Sequence, residues 1–258
     1  MKKVLSFDVD QTLNVAKTPI PKEIAEVLIK LLRADFKICP ISGQKFDQFL
    51  VQIVNPLLEN GATPDDLKNL HLFVAQGTQY YRFASDSWEK VYNFPLTEEQ
   101  VKEITNALET SAKELGFWEE DKLKEGDEII ENRLSQVTFS ALGQTAGTKE
   151  KYAWDPDCKK REQIVKGAKK LAPDFEFEIG GTTSINAFIP GMNKVFGMTH
   201  LMEELNVEKA DILYFGDMTQ PGGNDYPIVE MGIDTITVRS HEDTLYALTG
   251  ILGVTNNL

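Results

Sequence analysis

Short apolar runs alternate with amphipathic stretches at both ends of this 258-residue chain, and the alternation breaks off in the middle. Val4–Val9 reads as a buried strand. Pro21–Arg33 follows, with Ile24, Val27, Leu28, Leu31 and Leu32 at helical spacing and a proline suited to a first turn. Phe36–Ile41 is a second apolar run, Phe46–Leu58 a second helix and Leu70–Ala75 a third strand. Parallel neighbours need long crossovers, so strands that alternate with helices imply an α/β fold with a doubly wound parallel sheet covered on both faces. Pro40 is discordant, because a central strand needs the N–H that proline lacks.

From about Gln79 the period shortens to two. Gln79–Phe94, rich in Tyr, Trp and Phe, reads as an antiparallel hairpin. Thr97-Glu98-Glu99-Gln100 is a capping box that opens a helix to about Leu115. Val137, Phe139 and Ala141 alternate with Gln136, Thr138 and Ser140, and Phe175, Phe177 and Ile179 with Glu176 and Glu178. These are strands with one wet face. Cys158–Leu171 is a helix between them, and the charged stretch Glu119–Glu131 reads as a solvated loop. Beyond Gly191 the first rhythm returns: helix Lys194–Leu205, strand Ile212–Phe215, helix near Tyr226–Met231, strand Thr235–Val238, helix Asp243–Leu248. The expected organisation is a core from residues 1–84 and 189–258 with an α+β insert, 85–188, between them.

The net charge of −13 argues against a nucleic-acid partner, which needs a basic face. No apolar run approaches the roughly 20 residues of a membrane span. The N-terminus becomes charged too soon for a secretory segment. Cys39 and Cys158 form no framework and neither sits in a C-x-x-C motif, while three histidines argue against a histidine zinc site. A reduced, cytoplasmic protein is the default expectation.

Asp8-Val9-Asp10-Gln11-Thr12 falls at the carboxyl end of the first strand, where open α/β sheets place ligands. The i, i+2 spacing lets Asp8 present a carboxylate to phosphorus while Asp10 reaches the departing oxygen. Attack by Asp8 would give an aspartyl-phosphate, with Asp10 as general acid and then general base. Taken alone, two carboxylates in such a turn are more often a cap or a solvated bend.

Phe7-Asp8-Val9-Asp10-x-Thr12-Leu13 resembles the first motif of the haloacid-dehalogenase (HAD) superfamily, and three further motifs follow in that superfamily's order. Ile41-Ser42-Gly43 would supply a hydroxyl, Lys194 a fixed charge, and Gly216-Asp217 with Gly223-Asn224-Asp225 carboxylates for a metal. Ser42 could instead cap a helix, Lys194 could be a surface lysine, and Asp217 and Asp225 could shape a turn. Jointly those readings leave the order unexplained. A hydroxyl, an ammonium and Mg2+ are what the charge of a transferring phosphoryl group requires.

A narrower resemblance is to the eukaryotic-type phosphomannomutase family. Gly216-Asp217-Met218-Thr219-Gln220-Pro221-Gly222-Gly223-Asn224-Asp225 is similar to its G-D-x-T-x-P-G-G-N-D motif. Gly180–Phe188, leading to Asn193-Lys194, resembles its return from cap to core, and Arg133 with Ser140-Ala141-Leu142-Gly143 its cap substrate segment. The resemblance implies a HAD core with a type-two α+β cap, acting on a hexose phosphate with Mg2+ and, for a mutase, a hexose bisphosphate activator. It implies that Asp8 and Asp10 are catalytic and that Thr12, Ser42 and Lys194 hold phosphoryl oxygens. Asp8, Asp10 (through its carbonyl), Asp217 and Asp225 would serve the metal. Lys17, Arg133, Gln144, Lys151, Ser184 and Asn186 would face the substrate. Family members often dimerise through the cap, so a homodimer is a further expectation.

Several positions depart from the family pattern. Gln11 replaces a glycine, Gln144 an arginine and Asn186 an aspartate, while Lys17 and Lys151 stand for arginines. Lysine keeps the charge but loses the bidentate fork. A mutase must hold two phosphates and a phosphatase need only admit water. The full-length likeness favours the mutase, the thinner basic shell a sugar-phosphate phosphatase, and a non-enzymatic sugar-phosphate sensor comes third.

Overall fold

The computed structural model describes residues 2–255 and divides into two compact units, Met1–Asn93 with Met192–Leu258, and Phe94–Gly191. In chain order the first part contains β1 (Val4–Phe7), α1 (Lys22–Arg33), β2 (Lys37–Pro40), α2 (Phe46–Phe49), a π-helical turn (Leu50–Val54), α3 (Asn55–Glu59), α4 (Pro64–Leu67), β3 (His71–Val74), β4 (Gln79–Ala84) and β5 (Ser87–Asn93). The insert contains α5 (Glu98–Glu114), β6 (Ile130–Asn132), β7 (Gln136–Ser140), α6 (Thr148–Trp154), α7 (Lys159–Leu171), β8 (Glu176–Gly180) and β9 (Ser184–Phe188). The chain ends with α8 (Lys194–Leu205), β10 (Ile212–Gly216), α9 (Tyr226–Glu230), β11 (Asp234–Thr237) and α10 (His241–Val254).

The first unit is built on a parallel sheet of order β11-β10-β1-β2. Its inner strand β1, Val-Leu-Ser-Phe, is buried on both faces, while the edge strand β11, Asp-Thr-Ile-Thr, is polar and exposed at both ends. Leu5 and Phe7 pack among Ile24, Leu28 and Leu248 of α1 and α10, whereas Val4, Ile41 and Tyr214 cluster with Met198 and Leu201 of α8. Each such fully buried aliphatic side chain contributes about 1.5–3 kcal/mol.

Register explains Pro40. Successive N–H groups of β2 face opposite neighbours: Ile41 donates to Phe7 of β1 at 2.8 Å, while Ile38 and Ser42 donate to Asn69 and Phe73. Pro40 falls in the second series, so its missing N–H lies on the β3 side and the β1 ladder stays whole. β3 is accordingly attached to β2 by isolated bridges, Ile38 to Leu70 and Ile41 to Phe73.

Proline also shapes the second helical segment, which runs α2, π-turn, α3 without a break. Pro56 has no N–H to offer the carbonyl of Gln52, and Ile20 donates to that carbonyl instead at 2.8 Å. β5 pairs along its length with β4, so the hairpin stays with the first unit and the division falls after Asn93 rather than after residue 84.

In the insert an antiparallel sheet of order β6-β7-β9-β8 packs on α5 and α7 through Val137, Phe139, Ile185, Ile104, Leu108 and Ile164. Two expectations are corrected. The stretch Glu119–Glu131 is not all loop, because its end enters β6 and pairs with β7. The polar residues of β7 are not wet: Gln136, Thr138 and Ser140 are each 2% exposed or less. They are paired laterally, Thr138 donating to Asn186 Oδ1 at 3.0 Å and Ser140 sharing a hydrogen bond with Ser184 at 3.2 Å. Arg161, also buried, joins α7 to the β8–β9 turn, with Nε 2.8 Å from Asp155 Oδ2 and Nη1 2.6 Å from the Gly181 carbonyl.

Candidate active site

The centre lies at the carboxyl ends of β1 and β10. Phe7 stands opposite Phe215, and Asp8 N–H continues the ladder by donating to the Phe215 carbonyl at 2.9 Å. Asp8 therefore leaves its strand beside Gly216, and Asp217 follows directly. Asp225 returns to the same place through a turn closed by its own N–H on the Met218 carbonyl and by Met218 N–H on its Oδ2, both at 3.1 Å. Glycine is required at two points. A Cβ on Gly216 would lie 2.5 Å from Asp225 Oδ2, and one on Gly223 would lie 2.0 Å from the Met218 carbonyl oxygen.

Lys194 is the first residue of α8, behind an Asn193 cap whose side chain accepts from Val195 N–H. Its ammonium is buried, 2.6 Å from Asp8 Oδ1, 2.5 Å from Asp225 Oδ1 and 3.3 Å from the Tyr214 hydroxyl. That hydroxyl donates to Asp225 Oδ1 at 2.6 Å. One oxygen from each of Asp8, Asp217 and Asp225 lies within 4.8 Å of the others.

Burial raises the Asp8 carboxyl to about 8 against the opposing pull of Lys194. Burial, with the charge of Asp225 adding to it, raises Asp217 to about 6. Burial also works against ionised Asp225, but the charge and hydrogen bond of Lys194 outweigh it and hold that carboxyl below its ordinary value. The lysine is likewise opposed by burial, and Asp225 and Asp8 more than offset this, so its pKa stands well above the usual range. One ammonium thus faces three crowded carboxylates. A donor set made only of oxygen suits a hard divalent cation, and the excess negative charge gives that cation a reason to bind.

The turn after β1 supplies the neighbouring groups. Gln11 has φ +66°, a left-handed conformation that a glycine adopts freely and a glutamine does not. Asp10 is not one of the three clustered carboxylates; its Oδ1 accepts from Lys17 N–H at 2.9 Å, although its charge still acts on Asp217. Lys17 meets Asp10 through its backbone. Thr12 is fully buried, its carbonyl accepts from Thr244, and its own Oγ1 has no hydrogen-bond partner. An orphaned buried hydroxyl costs free energy unless a ligand completes it. Ser42 follows β2, with its N–H on Phe73 and its carbonyl taken by Gln76 N–H.

The sequence matches the family described as "Eukaryotic phosphomannomutase" over residues 24–254. The chain belongs to that family. It is an enzyme of the phosphomannomutase kind. The phosphomannomutase of Encephalitozoon cuniculi is 28% identical over 250 residues, covering 94% of this chain and 91% of that protein. The phosphomannomutase of Saccharomyces cerevisiae is 28% identical over 257 residues, covering 96% and 93%. Among solved structures, a haloacid dehalogenase-like hydrolase from Bacteroides thetaiotaomicron aligns with TM-score 0.64 at 15% identity, covering 97% of this chain and 100% of that one. IMP-bound Plasmodium falciparum IMP-nucleotidase, N-terminally truncated, aligns with TM-score 0.67 at 16% identity, covering 98% and 68%. These likenesses establish the HAD-type fold.

The phosphomannomutase-like positions of the insert form their own group on one face of its sheet. Gln144 Nε2 donates to Ser140 Oγ at 2.8 Å, next to Ser184, and Lys151 Nζ donates to the Gln144 carbonyl at 2.6 Å. Asn186 accepts from Thr138, and Arg133 Nε is 2.6 Å from Glu131 Oε2. Sequence reasoning did not single out Tyr214. The available signal was a hydroxyl in an otherwise apolar parallel strand, where a buried tyrosine needs a polar partner.

Proposed function

We propose that the chain catalyses Mg2+-dependent phosphoryl transfer on a hexose phosphate through an aspartyl-phosphate at Asp8. The observation that carries this reading is the meeting of Asp8, Asp217, Asp225 and buried Lys194; the buried, unpartnered Thr12 hydroxyl lies in the turn that follows Asp8. Asp8, Asp217 and the Asp10 carbonyl would hold Mg2+, with Asp225 in support. Bound there, Mg2+ supplies positive charge for phosphoryl oxygens and favours ionised Asp8. An Asp8 oxygen bonds to phosphorus as the bond from phosphorus to the sugar oxygen breaks, and Asp10 gives that oxygen its proton. In the second half an acceptor hydroxyl attacks the aspartyl-phosphate, Asp10 removes its proton, and Asp8 is regenerated. Thr12, Ser42 and Lys194 hold the transferring oxygens, where fixed donors and charge are most effective. Arg133, Lys151, Ser184 and Asn186 are proposed to contact the sugar phosphate.

An acceptor hydroxyl supplied by a sugar phosphate gives a mutase, and one supplied by water gives a phosphatase. Membership of the family supports the mutase. The phosphatase is favoured by two observations: Arg133 is engaged by Glu131, and Gln144 brings no charge. Incubation with mannose 1-phosphate and Mg2+, with and without a hexose bisphosphate, separates them. Formation of the 6-phosphate isomer that depends on the bisphosphate identifies the mutase, and release of inorganic phosphate alone the phosphatase. Asp8→Asn should abolish both while circular dichroism shows an intact fold; turnover in that variant would refute covalent catalysis there.

A further inference from the structure

The Tyr214 hydroxyl closes a ring with Lys194 and Asp225 that the roles above do not use. It donates to Asp225 Oδ1 at 2.6 Å and accepts from Lys194 Nζ at 3.3 Å, while Lys194 also donates to Asp225 Oδ1 at 2.5 Å. We infer that Tyr214 is a positioning residue, which fixes the Lys194 ammonium and the Asp225 carboxylate relative to each other and so aims the lysine at Asp8. This rests on the phosphoryl-transfer role of Asp8 and Lys194.

An ammonium on a four-carbon stem has three donors and little directional preference. Here each donor has its own acceptor: Asp8, Asp225 and Tyr214. Asp225 is equally occupied, with Lys194 and Tyr214 on Oδ1 and Met218 N–H on Oδ2. Three protein donors make Asp225 an anchor for the lysine, leaving Asp8 and Asp217 as the carboxylates open to a ligand. The Tyr214 ring belongs to the cluster that includes Met198 and Leu201 of α8, the helix that begins with Lys194. Its hydroxyl and the backbone of the lysine are therefore held by one packed group. Phenylalanine would keep the ring in place while removing the third acceptor of a buried cation and one donor to a buried anion.

Tyr214→Phe tests this against wild type with mannose 1-phosphate, a hexose bisphosphate and Mg2+. The expected result is a kcat lowered about ten- to a hundred-fold, the effect of a hydrogen bond to a charged group, with KM within about two-fold. A second measurement does not depend on turnover. In protein labelled with 15N-lysine, the Lys194 ammonium should give a protected NMR signal in wild type that is lost to exchange in Y214F. A tyrosine that served packing alone would leave kcat and that signal unchanged in the folded variant, and this result would overturn the inference. Asp8→Asn, run in parallel, keeps the two readings apart. Turnover in D8N sinks the proposed function, whereas an inactive D8N beside a fully active Y214F sinks this inference alone.

Discussion

Adding magnesium chloride to the metal-free protein at pH 6 and pH 8 probes the charge at the site. Asp8 titrates near 8 when folded and near 3.8 when unfolded, because burial disfavours its charge. Between those values the folded chain binds the extra proton, so metal-free stability falls as pH rises from about 4 to 8. At about 1.4 kcal/mol for each unit, the ionised site is strained by roughly 6 kcal/mol. A cation that needs ionised Asp8 competes with that proton. At pH 8 roughly half the molecules are ready, and at pH 6 about one in a hundred, so affinity falls by roughly fifty-fold. With Mg2+ at 100 times its pH 8 dissociation constant, the stabilisation is about 2.7 kcal/mol at pH 8 and about 0.6 kcal/mol at pH 6. For a chain of this length that is a rise in Tm of roughly 5–10 °C at pH 8 and about 1–2 °C at pH 6. Differential scanning calorimetry reads both. Equal rises at the two pH values, or a larger one at pH 6, would refute the reasoning.

Two further changes probe the supports of the two units. Arg161→Met leaves Asp155 buried beside no cation, and denaturant titration should show a loss of about 3–5 kcal/mol, as for other broken buried pairs. Gly197→Ala places a Cβ 2.5 Å from Ile41 Cδ1 and 2.8 Å from the Gln76 carbonyl oxygen. Crowding of this kind costs about 1–3 kcal/mol; the helix that begins with Lys194 must shift, so melting temperature and turnover should fall together.

Much of the first unit was readable from residue order, because β1 and β10 are largely apolar runs and the clustered carboxylates Asp8 and Asp217 stand where they end. Asp8 stood out for that reason, whereas Lys194, at the start of α8, and Asp217 were singled out through the family resemblance. What escaped depends on partners far along the chain. β6 is three residues with no period of its own and exists because Phe139, Thr138 and Val137 pair with it. The polar side of β7 suggests exposure until Asn186 and Ser184, more than 40 positions later, are seen bonding to it. Pro40 conflicts with a central strand until register shows which neighbour its nitrogen faces. Tyr214 looks like ordinary filling until its hydroxyl is found between two charges.

The irregular turn at Leu50–Val54 bears on Asp10, the proposed acid–base group, although it lies far from it in sequence. Pro56 offers the Gln52 carbonyl no N–H, Ile20 is fastened there instead, and the Gln52 side chain also receives Asn14. The loop from Asp10 to Ile20 is thus moored to a neighbouring helix by a defect in that helix. An engineer who straightened the segment by replacing Pro56 would strengthen the rod and cast off the rope.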